Sequence, residues 1–273
     1  MKLKITKAVI VIILIVIYSI AQNKWIDIEE FNVSIDRKIT DFKGIRIAQI
    51  SDIHLPSSEG FIDSIIENVQ KAEPDLILMT GDLVDRTSDL DESGMGEMCR
   101  RLSEIAPCYA ISGNHDLQFN YIKWSGILTE NNVEVVDDKE VLFDKDGQKV
   151  IIMGLMLGSR YKNIKFDKYS EMKDVPRILL THNPAGFESY FSRDNKIITD
   201  LLLCGHAHGG QVRIPFINQG LYAPGQGVLP KYTSGEYYSQ TGGVMIVSRG
   251  LGNSTSPLRF NNRVHIPIIN LKG

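Results

Sequence analysis

Cysteine is scarce in this chain of 273 residues: only Cys99, Cys108 and Cys204 occur. An odd count without short spacing excludes a disulfide framework and a zinc-knuckle pattern. A basic excess is missing too, with 30 Lys and Arg against 33 Asp and Glu. Three of those bases (Lys2, Lys4, Lys7) precede an apolar run, so the remainder is more acidic still. Proteins that live on phosphate backbones show the opposite balance, and the charge therefore argues against nucleic acid as a partner. No repeat, Gly/Ser-rich linker or charge block divides the sequence, and no second apolar run is long enough to cross a bilayer. What remains is ordinary globular composition, 43% hydrophobic and 23% charged, sufficient for one large domain with its own core.

Residues 1–26 read as an address. The run from Ala8 to Ala21 follows the three lysines and precedes Asp27, Glu29 and Glu30. Bases before and acids after favour an inside N-terminus and an outside body. Ser19-Ile20-Ala21 resembles a signal cleavage site. Counted from Ile5, with Trp25 as an interfacial anchor, the segment also suits an uncleaved single-pass transmembrane helix. Either reading places the body outside the cytoplasm, at the cytoplasmic membrane if the anchor stays. Residues 27–44 read as a connector and 45–273 as the main domain.

That domain alternates β-branched runs with amphipathic helices, the mark of an α/β fold. Ile45–Ile50 runs into Ser51-Asp52-Ile53-His54, and a helix follows with Ile62, Ile65, Ile66 and Val69 at helical spacing. Leu76–Thr80 opens onto Gly81-Asp82, and Cys108–Ser112 opens onto Gly113-Asn114-His115-Asp116. Arg177–Thr181 ends at His182, and Leu201–Cys204 ends at Gly205-His206-Ala207-His208-Gly209-Gly210. Val133–Val136, Val150–Gly154 and Val244–Ser248 read as strands without such ends. Open α/β sheets build their sites just past the carboxyl ends of strands, and five such ends carry Asp, Asn or His here.

Five of the six histidines fall in these motifs. The sixth, His265, reads as part of a C-terminal strand. An Asp-x-His pair on extended backbone puts both side chains on one side, which is the relation expected for Asp52 with His54. Imidazoles mixed with carboxylates suit Mn²⁺, Fe²⁺ or Zn²⁺ better than Ca²⁺ or Mg²⁺. Seven donors (Asp52, His54, Asp82, Asn114, His182, His206, His208) are too many for one such ion and suit two that share a carboxylate. His115 adjoins a donor and is the candidate general acid, with Asp116 expected to orient it. A Gly-, Pro- and Tyr-rich excursion between His208 and Val244 carries Arg213, expected to contact substrate phosphate; a purely structural excursion fits as well.

In order and spacing, Asp52-Ile53-His54, Gly81-Asp82, Gly113-Asn114-His115-Asp116, His182 and Gly205-His206-Ala207-His208 resemble the calcineurin-like metallophosphoesterases. Gly209 to Pro215 and Ser248-Arg249-Gly250-Leu251-Gly252 are similar to a membrane-anchored bacterial branch, which includes a cell-wall phosphoesterase and a hydrolase of UDP-diacylglucosamine. The resemblance covers Ile45 to Pro267. It implies a four-layer αββα sandwich of two mixed sheets with helices outside. It also implies one ion on Asp52, His54, Asp82 and His208 and a second on Asp82, Asn114, His182 and His206. Many relatives carry acidic residues after the strand matching Val150–Gly154, where this chain has Leu155 to Arg160. The implied reaction is hydrolysis of a phosphodiester, phosphomonoester or pyrophosphate by in-line attack of a hydroxide bridging the metals. The substrate would be a phosphate ester, lipid- or cell-wall-linked. A nuclease, a nucleotide-sugar-lipid pyrophosphatase and a non-catalytic metal-binding scaffold are the alternatives on the same donors.

Overall fold

The computed structural model describes residues 2–35, 39, 42–159, 164–191, 199–253 and 256–273, apart from the side chains of residues 2–5 and 8. The first element is a helix, α1 (Lys2–Gln22). Val9 to Ile17 are all exposed, at 40–59%, so no face of α1 is covered there. Its last turn, by contrast, docks on the body. Ser19 and Gln22 are buried, Val264 N–H donates to the Gln22 carbonyl at 3.1 Å, and Tyr18 meets Phe260 edge-on at 5.3 Å. On the spanning helix expected here, among the described residues no helix is long and apolar enough to cross a membrane.

The supposed connector begins as part of the core. β1 (Asp27–Ser34) alternates exposed with inward residues and buries Phe31 and Val33. Residues 36–38, 40 and 41 of that segment lie outside the described residues. There follow β2 (Ile45–Ile50), α2 (Glu59–Ala72), β3 (Leu76–Met79), α3 (Met95–Ser103), β4 (Cys108–Ala110), α4 (Tyr121–Glu130) and β5 (Val133–Val135). β2 to β5 are parallel, as helical crossovers require. They extend a mixed six-stranded sheet in the order β1-β16-β2-β3-β4-β5, where β16 (His265–Lys272) runs parallel to β1 and antiparallel to β2. α2 buries Ile62, Ile65, Ile66 and Val69, and stops where Glu73 turns left-handed (φ 48°) ahead of Pro74.

The second sheet, in the order β14-β15-β9-β8-β7-β6, comes from β6 (Glu140–Lys145), β7 (Gln148–Leu155), β8 (Arg177–Thr181), β9 (Leu201–Cys204), β14 (Gly235–Tyr238) and β15 (Val244–Val247). A short helix, α5 (Phe187–Tyr190), follows β8, and the excursion between β9 and β14 forms two small ribbons. One pairs β10 (Arg213–Ile214) with β11 (Gln219–Gly220), the other β12 (Tyr222–Ala223) with β13 (Gly227–Val228). The sheets stack face to face over Ile47, Leu76, Leu78, Ile152, Leu180, Leu203 and Ile246. α2, α3 and α4 cover the outer face of the first sheet through Ile65, Val69, Met98, Leu102 and Trp124. Among the described residues the outer face of the second is covered by α5 and by aromatics, Phe166, Phe187, Phe191 and Tyr232. The fourth layer is therefore thinner than a full helical layer. Strands buried on both faces explain the continuous apolar runs that alternation alone would not produce.

Candidate metal centre

Every expected donor lies just past the carboxyl end of β2, β3, β4, β8 or β9, where the two sheets meet. The backbone that places them is not extended, as period-two alternation would have it. Asp52, His54, Asp82, His206 and His208 all take positive φ, between 46° and 67°. Left-handed backbone in non-glycine residues costs energy and gathers where a site demands it. Close approach does the rest. A Cβ on Gly205 would lie 2.0 Å from Ser51 Oγ and 2.2 Å from Asp52 Oδ2, and one on Gly113 would lie 2.2 Å from Asp82 Oδ1. Only glycine lets these loops touch.

The donors form two groups with ligand atoms mutually within 4.8 Å, all buried except the half-buried His206: Asp52, His54 and His208; and Asp82, His182 and His206. In the first, His54 Nε2 faces His208 Nε2 at 3.2 Å, and His208 Nε2 lies 3.5 Å from Asp52 Oδ1. In the second, His206 Nδ1 faces His182 Nε2 at 3.1 Å, with Asn114 Oδ1 3.2 Å from the same His182 nitrogen. Asp82 Oδ2 stands between the groups, 3.3 Å from His182 Nε2 and 3.8 Å from His54 Nε2. The remaining atoms of these donors are fixed by the chain. His182 Nδ1–H donates to the Thr80 carbonyl at 2.8 Å, leaving Nε2 for the site. His206 N–H donates to both Asp52 oxygens, and His115 N–H to Asp82 Oδ1 at 2.8 Å.

Burial pushes the imidazoles of His54 and His206 down to about 4 and that of His208 well below its usual range. Neutral imidazole is the form that binds a cation. Burial acts the same way on His182, but the Asp82 charge outweighs it and raises the ring to about 10. Burial likewise raises Asp82, and the His182 charge overcomes it, holding the carboxylate well below its usual range. Asp52 rises to about 6, through burial and the neighbouring Asp82 charge. Buried carboxylates facing nitrogens about 3 Å apart, mostly neutral, are suited to a divalent ion.

A calcineurin-like phosphoesterase profile matches residues 45–210, from the start of β2 to the end of the Gly-His-x-His-Gly-Gly loop. The chain belongs to the calcineurin-like phosphoesterase family. The metallophosphoesterase YkuE of Bacillus subtilis is 31% identical over 240 residues, covering 85% of this chain and 80% of YkuE. The phosphodiesterase YaeI of Escherichia coli is 29% identical, covering 77% and 74%. Among solved structures, a 5'-nucleotidase precursor from Thermus thermophilus shares the fold with a TM-score of 0.53 at 12% identity, covering 84% of this chain and 54% of the nucleotidase. As a member of this family the chain is a metal-dependent phosphoric ester hydrolase, and its clusters of ligand-like residues indicate divalent metal ions.

Beside them the phosphoesterase places His115 against His54, ring centroids 4.5 Å apart. The carboxylate facing His115 is Asp85, with Oδ2 3.3 Å from Nδ1, while Arg86 N–H also reaches Nδ1 at 3.2 Å. Nδ1 is thus engaged by the chain. The orienting role expected of Asp116 is corrected. Its fully buried carboxylate accepts the N–H groups of Leu83, Val84 and Gly113, at 2.9 to 3.3 Å, and so ties two donor loops together. Burial, with the Asp82 charge, lifts it to about 7.

Arg213 is not brought to the donors. Its guanidinium is buried and donates to Asn218 Oδ1, the Asn218 carbonyl, the Gly209 carbonyl and Thr233 Oγ1. It lines a polar cavity with Tyr18, Glu29 and Arg249 that contains none of the seven donors. Leu155 to Ser159 are described, whereas Arg160 lies outside the described residues. Reading motifs missed Asp85, although it follows Asp82 by three residues in Gly-Asp-x-x-Asp. It also missed the buried chain beneath Asp52: Gln49 Nε2–H to Thr80 Oγ1 (3.0 Å), Thr80 Oγ1–H to Ser51 Oγ (2.7 Å), Ser51 Oγ–H to Asp52 Oδ2 (2.5 Å). Arg259, fully buried with Nη2 3.5 Å from His208 Nδ1, escaped notice as well.

Proposed function

We propose that the protein hydrolyses a phosphodiester with two divalent ions, Mn²⁺, Fe²⁺ or Zn²⁺, that share Asp82. The first is held by Asp52, His54, Asp82 and His208, and the second by Asp82, Asn114, His182 and His206. The observation that carries this reading is the position of Asp82 Oδ2 between two donor groups. Such ions supply Lewis-acid stabilisation of phosphoryl oxygens and make water easier to ionise. The chain's own residues do the rest. Asp52, Asp82 and the neutral imidazoles neutralise and orient the charged centre, and the burial of these donors limits competing water. Water gives up a proton to solvent and adds its oxygen to phosphorus while the bond to the leaving oxygen breaks with its electron pair. His115 Nε2, held by contacts on Nδ1, delivers a proton to that oxygen. A diester is favoured by likeness to the phosphodiesterase YaeI, and the acidic net charge disfavours nucleic acid.

We also propose that the apolar helix α1 attaches the protein to a bilayer, with the body on the outer face of the cytoplasmic membrane. Nine consecutive exposed apolar residues from Val9 to Ile17 support attachment, since a helix apolar all round is otherwise buried. Lysines before it and acids after it support the orientation. The enzymatic reading is tested with purified full-length protein, Mn²⁺ and bis(p-nitrophenyl) phosphate. Metal-dependent release of p-nitrophenolate is expected. Absence of turnover with Mn²⁺, Fe²⁺ and Zn²⁺ alike would favour the scaffold reading.

A further inference from the structure

The metal centre opens to solvent on one side. Asp52, His54, Asp82, His182 and His208 are buried, whereas Asn114 and His206, both of the second group, are half-buried. His206 turns Nδ1 inward, 3.1 Å from His182 Nε2. A neutral imidazole carries one N–H, so with the Nδ1 lone pair given to the centre the hydrogen stands on Nε2. Histidines that hold a metal pass their other N–H to an acceptor nearby, as His182 does to the Thr80 carbonyl. Among the described residues Nε2 of His206 meets no acceptor of the chain. Asn183, directly after His182, supplies a second donor of this kind. Its Oδ1 accepts the Ala185 N–H at 2.9 Å and caps the turn Pro184–Gly186. That bond fixes which end of the amide is oxygen, and Nδ2 has no partner among the described residues. Both nitrogens face one spot. A Cβ on Gly225 would lie 3.4 Å from Asn183 Nδ2 and 4.0 Å from His206 Nε2. Gly225 takes φ 71° in the turn between β12 and β13. Gln226 pins that turn through two hydrogen bonds with the backbone of Tyr232, at 2.7 and 3.0 Å.

We infer that Asn183 Nδ2 and His206 Nε2 form a donor pair that selects substrates by an uncharged acceptor oxygen, a carbonyl or hydroxyl, on the organic substituent of the phosphoester. Placement does the selecting. Phosphorus held between the two donor groups has its way out on the half-buried side, past Asn114 and His206, and a substituent that takes it passes the spot beside Gly225. Both donors are uncharged, which suits a carbonyl or hydroxyl oxygen better than a second phosphate, the partner of charged donors. A hydrocarbon of the same shape strips water from both N–H groups and gives no acceptor in return, so the pair rejects it. Glycine at 225 leaves room for the oxygen, where any side chain would stand between the two nitrogens. This selection rests on the two-ion hydrolase reading above.

Two non-hydrolysable phosphonates of nearly one shape test it, 3-oxobutylphosphonate and 3-methylbutylphosphonate, which carry a carbonyl oxygen and a methyl group at the same place. Each has a single substituent, free to turn toward the open side. Isothermal titration calorimetry on full-length, Zn²⁺-loaded protein gives a Kd for each without turnover, and the quantity read is their ratio. The wild type should bind the ketone about 3- to 10-fold more tightly, the net worth of a hydrogen bond. Asn183→Asp keeps the oxygen that caps Ala185 but puts an acceptor where Nδ2 stood, and should remove or reverse the preference. Gly225→Ala, whose methyl stands between the two nitrogens, should remove it as well. In protein with ¹⁵N-labelled asparagine, the Asn183 side-chain amide signal should shift on adding the ketone and much less on adding the hydrocarbon. Equal Kd values in the wild type, or a ketone preference that survives Asn183→Asp, overturns the donor pair alone. Binding of neither phosphonate overturns the hydrolase reading, and the donor pair falls with it.

Discussion

Replacing Asp85 by Asn separates the group that orients the candidate acid from the groups that hold metal. Asp85 Oδ2 lies 3.3 Å from His115 Nδ1. The amide keeps the shape and one hydrogen-bonding oxygen but removes the charge. Two unit charges at that distance interact by about 5 kcal/mol at an effective dielectric near 20 and by about 1 kcal/mol in bulk water. The Asp85 side chain is 22% exposed and that of His115 6%, which places the pair between these limits. A loss of about 2–3 kcal/mol, or roughly 30- to 150-fold in kcat, follows. The assay compares p-nitrophenyl and alkyl phosphodiesters, with metal content measured on the same samples by plasma mass spectrometry. Both ions should remain. The loss should be greater for the alkyl ester, whose leaving oxygen needs the proton. Equal losses on both esters, or loss of an ion, would refute the positioning role and make Asp85 a support for His54, whose Nδ1 is 3.7 Å away.

Other perturbations discriminate among the remaining parts. Asp82→Ala should strip most metal and lower turnover by on the order of 10³ or more, since it removes the shared carboxylate; a variant still holding two ions per chain would contradict the shared role. Gly205→Ala forces a Cβ to within 2.0 Å of Ser51 Oγ, and urea unfolding should show roughly 1–3 kcal/mol of destabilisation. Gly126→Ala, in α4 with open space around it, should instead stabilise by about 0.5–1 kcal/mol. Burial holds His265 at about 4 against 6.5 when unexposed to the fold's interior, so the unfolded chain takes up a proton before the native one does. The stability this contributes is complete above pH 6.5 and falls toward pH 4 by up to about 1.4 kcal/mol per pH unit. His265→Gln should flatten that part of the pH dependence of urea unfolding, and an unchanged slope would refute it.

The strand ends were legible in the sequence because apolar runs of four to six residues stop abruptly at polar or glycine residues, as at Ile50-Ser51 and Cys204-Gly205. The donors were legible because the family pattern repeats short local motifs. What lies between motifs was not. Asp116 looks like a partner of His115 from adjacency, yet its left- and right-hand neighbours in space are the backbone amides of Leu83 and Gly113. Asp85 reaches His115 only because β3 and β4 run side by side and end at the same level. Arg213 reads as an available cation until the β10–β11 ribbon folds back and its acceptors surround the guanidinium. β1 was missed because four of its eight residues are acidic or amide side chains. Its inward Phe31 and Val33 find their places only beside β16, more than 230 residues away. The extended Asp-x-His geometry was likewise an inference from local periodicity, which cannot foresee left-handed backbone enforced by loops from the opposite sheet.

The most direct test of the account is anomalous scattering from crystals of the Mn²⁺-loaded, full-length protein. Two peaks are predicted, both within about 2.2 Å of an Asp82 carboxylate oxygen, one shared with Asp52, His54 and His208 and the other with Asn114, His182 and His206. A single peak, or a peak held by His54, Asp85 and His115, which also converge, would contradict it.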